Sequence, residues 1–122
     1  MLVNRIEDLV IYKIALDLAI EIADLVKRIP YNWSIVEAGQ ILRCSSSVHS
    51  NIAEGFSHRF YLKQFIRYLN IALGSSDEAQ NHLQKLRNSN HLNIEVTDNY
   101  IKRYKNLSVR ILNLINYLRK KT

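Results

Sequence analysis

Four long runs of the chain repeat their apolar residues every three or four positions, and little inside them would break a helix. Only three glycines and one proline occur in 122 residues. A β-sandwich of this size needs turn residues every 8–12 positions or so, so their scarcity favours helices. The punctuation falls at Pro30-Tyr31-Asn32-Trp33, at Gly55-Phe56-Ser57 and at Asn88-Ser89-Asn90-His91. It leaves four segments at about 5–29, 34–54, 59–88 and 95–120 with short connections between them. The expectation is all-α, an antiparallel up-and-down four-helix bundle, as one domain over residues 1–122.

Segment one carries two apolar seams. One is Leu9, Tyr12, Leu16, Ala19, Ala23 and Val26; the other is Ile11, Ala15, Leu18, Ile22, Leu25 and Ile29. At the helical period they cover roughly 200° of the circumference, wider than one bundle core requires. Either the helix is deeply inserted in a monomer, or one seam faces the bundle and the other faces a second subunit. Segment two keeps the same step through Ser34, Ala38, Ile41, Ser45, Val48 and Ile52, with Gly55 placed as a helix C-cap. Segment three buries Tyr61, Phe65, Tyr68, Ala72, Ser75, Ala79, Leu83 and Leu86 on this reading. Gly74 within it costs about 1 kcal/mol relative to Ala, which predicts a close contact there with the serine-rich part of segment two. Segment four has the apolar seam Tyr104, Leu107, Ile111, Leu114 and Leu118.

Charge is unevenly distributed. Residues 1–37 hold four of the seventeen basic side chains and six of the eleven acidic ones, so the net +6 belongs to the rest of the chain. Such a surplus suits a polyanionic partner, RNA or DNA or an acidic protein, although a solubilising charge would look the same in the total. From Tyr100 onward there are seven basic residues and no acid. Arg103, Asn106, Arg110, Asn113, Tyr117 and Lys120 form a polar seam beside the apolar one. Arg and Lys neutralise phosphates, Asn bonds to sugars or base edges, and Tyr stacks on bases, so this seam is the candidate nucleic-acid contact. Arg59, Lys63 and Arg67, four apart on one outer face, are a second candidate. Both patterns also describe an ordinary solvated helix face.

Catalysis finds no foothold. No phosphate loop, dinucleotide fingerprint, zinc-protease motif or nucleophile elbow occurs. His49, His58, His82 and His91 are scattered, and Glu78 and His82 stand four apart, away from the inward stripe, where chance surface placement accounts for them. The single cysteine, Cys44, cannot form an intramolecular disulfide and is read as a packed or half-buried thiol. The expectation is a non-enzyme with no catalytic or metal site, no cofactor and no small-molecule substrate. No apolar run reaches the ~18–20 residues of a membrane span and no signal peptide opens the chain, which points to the cytoplasm and away from a membrane.

A more specific pattern lies at Ser47-Val48-His49-Ser50-Asn51-Ile52-Ala53-Glu54-Gly55. It resembles the Ser-Ile-Pro-Ala-Asn-Ile-Ala-Glu-Gly signature of the bacterial four-helix-bundle proteins related to those encoded in 23S rRNA intervening sequences. Gln40 and Arg43, Phe65-Ile66-Arg67-Tyr68-Leu69, Ile71-Ala72-Leu73-Gly74-Ser75 and the opening Leu9-Val10-Ile11-Tyr12-Lys13-Ile14-Ala15 extend the likeness over about residues 9–92. The last helix matches in pattern only. His49 stands where the family usually has Pro, which puts a kink of helix two in doubt. The resemblance implies a bundle that assembles into a ring-like homopentamer, and it extends to the accessory proteins of diversity-generating retroelements, whose basic pentamers bind nucleic acid and a reverse transcriptase. It carries over no catalytic residues. Asn51, Ile52, Ala53, Glu54, Gly55, Gly74 and Ser75 would be structural, Gly55 ending helix two and Asn51 and Glu54 bonding to neighbouring helix or subunit groups. The function expected is RNA or DNA binding by an oligomeric bundle through a basic face. The alternative is an adaptor whose basic face meets an acidic protein such as a reverse-transcriptase-like enzyme.

Overall fold

A computed structural model describes residues 3–29, 31–90 and 92–122, without the side chains of residues 31–35. Pro30 and His91, assigned above to two of the breaks, and the side chain of Ser34 lie outside the described residues. Among the described residues a single 3-10 turn at Ile6–Asp8 is followed by four helices: α1 (Val10–Val26), α2 (Tyr31–Ser57), α3 (Leu62–Asn88) and α4 (Ile94–Arg119). Short connections force each long helix to run back along the one before it, and the result is a four-helix bundle. α2 packs on α1 and α3, and α3 on α4; α1 meets α4 along a shorter stretch.

The ends differ from the sequence expectation for local reasons. α1 begins later than expected because Leu9 is extended, with φ −84° and ψ 111°. α2 begins at Tyr31, inside the residues assigned to a break, and α3 begins at Leu62 rather than 59. α3 stops at Asn88 as expected, where Asn90 adopts φ 59°, the left-handed region that asparagine tolerates better than most residues. α4 opens on Asn93, whose side chain accepts the Glu95 backbone N–H at 2.7 Å.

The core follows the predicted stripes closely. Ile11, Ala15, Leu18, Ile22, Leu25 and Ile29 are all buried, as are Ile41, Val48 and Ile52 of α2 and Phe65, Ala72, Ala79, Leu83 and Leu86 of α3. Of α4's apolar seam, Tyr104, Leu107, Ile111 and Leu118 are buried and Leu114 is partly so. The other seam of α1 is divided. Leu9 is buried within the chain, Tyr12, Leu16, Ala19, Ala23 and Val26 are half-buried, and the exposed apolar residues of α1 are Val10 and Ile20. Tyr12 meets His49 edge-on at 6.4 Å between centroids, so part of that seam is covered by α2 of the same chain. Tyr61 is a correction: it precedes the first turn of α3 and is 71% exposed, because the chain is still turning there.

The two glycines exchange roles. Gly74 is exposed, and a Cβ there would find no atom within 4 Å, so it marks no close contact. Gly55 does not cap α2, which continues to Ser57. It is a buried glycine against α3, where a Cβ would stand 2.9 Å from Tyr68 Cβ and 3.1 Å from Phe65 Cδ1. The close approach of α2 and α3 near their middles is real, but serines make it: Ser47 and Ser75 hydroxyls lie 2.7 Å apart. Across α3 and α4 the Ser76 hydroxyl reaches Ser108 Oγ at 2.8 Å and donates to the Tyr104 carbonyl at 3.2 Å.

A paired substitution checks this exchange. Gly55→Ala should destabilise the fold by about 1–3 kcal/mol through overpacking against Tyr68 and Phe65. Gly74→Ala should stabilise it by up to about 1 kcal/mol through helix propensity. Urea unfolding followed by circular dichroism reads both, and equal effects at the two sites would contradict the assignment.

Candidate functional site

The polar seam of α4 does not form one free cationic strip. Arg103, at its N-terminal end, reaches across to α1 and donates to both oxygens of Glu21, Nη1 to Oε1 at 2.7 Å and Nη2 to Oε2 at 2.5 Å. Tyr100 donates to the same carboxylate at 3.3 Å, and the guanidinium lies 5.3 Å from the Tyr100 ring centroid. The two-pronged contact from Arg103 holds the Glu21 carboxyl below its ordinary value, and the same contact raises the guanidinium. Arg103 therefore ties α4 to α1, and its charge is largely answered inside the chain.

The remainder of the seam stays open. Asn106, Arg110, Asn113 and Lys120 are exposed, and Tyr117 is 43% exposed with the Lys121 ammonium 4.9 Å from its ring centroid. Among the described residues no ion pair engages Arg110, Arg119 or Lys120. Tracing one seam missed Lys102 and Lys105. They are exposed on the flank towards α3, beside Arg87 and Asp98, where Arg87 Nε is 2.5 Å from the Asp98 carboxylate. Their spacing of three was legible, but it belongs to a different line along α4.

The second cluster is likewise divided. Arg59 is packed rather than free: its guanidinium lies 4.3 Å from the Phe56 ring centroid and 4.6 Å from that of Phe60. It donates to the Phe56 carbonyl at 3.2 Å and to the Asn4 carbonyl at 3.4 Å. Lys63 and Arg67 are exposed, Arg67 lying 5.7 Å from the Tyr68 ring centroid. Arg59, Phe60, Leu118 and Lys121 line one small cleft, so the α2–α3 turn adjoins the C-terminal end of α4. The fold thus brings Arg59 to the same end as Tyr117 and Lys120, while Arg103 is held well inside α4, in its N-terminal half.

The signature residues serve the α2–α3 contact. Asn51 donates to the Ser47 carbonyl at 2.9 Å and to Ser47 Oγ at 3.0 Å, and Ser47 in turn meets Ser75. Ile52 is buried and Ala53 half-buried. The Glu54 side chain is exposed and meets no neighbouring helix of its own chain among the contacts described, while its backbone carbonyl accepts from Ser57 Oγ at 2.6 Å and lies 2.9 Å from His58 Nδ1. Glu78 and His82 also depart from expectation. Both are only partly exposed, and they face the fully buried Cys44 across the α2–α3 interface.

Residues 7–113 match the family model described as 23S rRNA-intervening sequence protein, a span that reaches into α4. Among solved structures, the chain is similar to a protein with unknown function from the S23 ribosomal protein family from Bacteroides thetaiotaomicron VPI-5482. The identity is 24%, the TM-score 0.79, and the alignment covers 86% of this chain and 97% of the other. No curated protein matches.

The α1–α4 clamp predicts a pH-dependent stability. Because the folded Glu21 carboxyl lies below its ordinary 4.5, its contribution is complete above that value and is lost as the pH falls through the lowered one. Both partners are partly solvated, which limits the pair to about 1 kcal/mol. Glu21→Gln should lower Tm at neutral pH, and the gap to the unsubstituted protein should close in acid. A gap that persists in acid would assign the effect to packing.

Proposed function

Because the chain belongs to the 23S rRNA-intervening sequence protein family, we propose that it is a non-enzymatic, self-assembling helical bundle. It binds RNA or DNA through the open part of α4 and the adjoining α2–α3 end. The observation that carries this reading is the run of exposed cations on α4, with no acidic residue after Asp98. Lys102, Lys105, Arg110, Arg119 and Lys120 present their charges to solvent, and Lys63 and Arg67 add two more from α3. Such cations neutralise phosphates without requiring base readout. No helix among the described residues is long and apolar enough to cross a membrane, so a lipid-spanning role does not compete. The half-buried Leu16, Ala19, Ala23 and Val26 of α1, together with exposed Val10 and Ile20, support assembly of copies, and a ring of five is the number proposed.

A second reading has its own support. Val109 and Leu112 are 57% and 42% exposed among the α4 cations, a mixed apolar and basic surface that suits an acidic protein partner. Salt separates the two readings.

Binding to a structured RNA or a duplex should weaken linearly in log–log form with salt, each phosphate neutralised contributing about 0.9 to the slope. Arg110→Glu combined with Lys120→Glu should reduce affinity at least about tenfold, more than 1.4 kcal/mol, with helicity unchanged. Arg103→Glu is a poor probe, since it breaks the clamp to Glu21. Negligible binding to rRNA fragments, tRNA and DNA at low salt would favour the adaptor reading. Light scattering should give a mass several-fold above 14.3 kDa, and a 14.3 kDa species at micromolar concentration would refute assembly.

A further inference from the structure

Between α2 and α3, away from the basic seam, four side chains of metal-ligating type converge. Glu37 and Cys44 stand seven residues apart, two helical turns, and so share one face of α2. Glu78 and His82 stand four apart on the facing side of α3. The Cys44 sulfur, a Glu78 carboxylate oxygen and an imidazole nitrogen of His82 all lie within 4.8 Å of one another. His82 Nε2 is 3.4 Å from Glu78 Oε2, and His82 Nδ1 is 3.9 Å from Glu37 Oε2.

We propose that Cys44, Glu78 and His82 form a binding site for a divalent transition metal of the zinc class. Glu37 orients the imidazole from behind. A thiolate, an imidazole and a carboxylate are a ligand set that borderline-soft Zn2+ accepts, with water completing four-coordination. Ligand distances of 2.0–2.3 Å in a tetrahedral site place ligand atoms roughly 3.5 Å apart. The His82–Glu78 pair, at 3.4 Å, already has that spacing, and the widest separation in the set exceeds it by no more than about 1.3 Å, which binding would have to close. A carboxylate bonded to the far nitrogen of a ligating histidine is the usual outer-shell arrangement; Glu37, 3.9 Å from Nδ1, stands just outside that distance on the Nδ1 side, which leaves Nε2 for the metal.

Two further observations bear on the site. Cys44 is fully buried and its Sγ donates to the Gln40 carbonyl at 3.0 Å, a hydrogen bond given up when the thiol proton leaves to solvent and the sulfur–metal bond forms. Finally, Glu78 is held by Arg43 and Glu37 by Lys85, and both cations are more than half exposed, so they can withdraw into water as the metal takes over the carboxylates.

Cobalt(II) reports the ligands directly. Chelator-treated full-length protein titrated with Co2+ should develop a thiolate-to-cobalt charge-transfer absorption that saturates at one ion per chain and is displaced by Zn2+. Cys44→Ala should abolish that absorption, and His82→Gln, at a partly exposed position, should weaken binding by at least the roughly 10–100-fold that loss of an outer-shell partner costs. Zn2+ should raise Tm in the unsubstituted protein by mass action and leave Cys44→Ala unmoved. Absence of cobalt binding, cobalt binding without the thiolate absorption, or an affinity indifferent to His82→Gln would each overturn the proposal.

Discussion

The contact between α2 and α3 organises the rest of the molecule. These are the longest helices, and they lie close because Gly55 presents no Cβ to Tyr68 and Phe65 while Ser47 and Ser75 meet as hydroxyls rather than bulky side chains. Small residues exchange side-chain volume for backbone proximity, and each hydroxyl brought inward must find a partner or pay for its lost water. Ser47 is answered by Asn51 and Ser75, and Ser76 by Ser108 and the Tyr104 carbonyl. α1 then packs on the outer side of α2 and α4 on that of α3, so the outer helices take their positions from the inner pair.

The weakest seam of the bundle is where the two outer helices meet, and electrostatics secures it. An acidic-leaning first segment and a basic last one attract over their length, but the structure concentrates the attraction in Glu21, Tyr100 and Arg103. A bidentate guanidinium–carboxylate contact fixes register as well as proximity, which a diffuse charge balance cannot do. Arg103 is thereby withdrawn from the set of cations that an external polyanion could use.

Periodicity revealed which residues turn inward, because burial in a bundle repeats every three or four positions and one helix can be read by itself. Most of the predicted stripe residues are buried. What it could not reveal is where two helices face each other. The same glycine chemistry that suggests a close approach at Gly74 is realised at Gly55, since only the partner's position decides which missing Cβ matters. The seam through Arg103 and the cluster at Arg59 read as free cations for the same reason: Glu21 lies 82 residues from Arg103 and the Asn4 carbonyl 55 from Arg59. Cys44 and His82 are likewise invisible as a pair until α2 and α3 are laid together.

The cations that remain open set a bound on what one copy can do. On the seam itself Arg110 and Lys120 are the charges left, ten residues and about 15 Å apart along α4. Two phosphates neutralised give a salt slope of about 2, the signature of weak contact. Lys102, Lys105 and Arg119 sit on other lines around the same helix, so one straight backbone cannot touch all of them at once. Tight binding to a polyanion therefore requires either a strand that wraps the α4 end or several copies presenting their seams together. In the second case each further contact becomes intramolecular and the affinity multiplies without any new residue. On the proposed reading, assembly through α1 and binding through α4 are one property, and a variant of Leu16 or Ala19 that separates the copies also lowers affinity for nucleic acid although neither residue touches it.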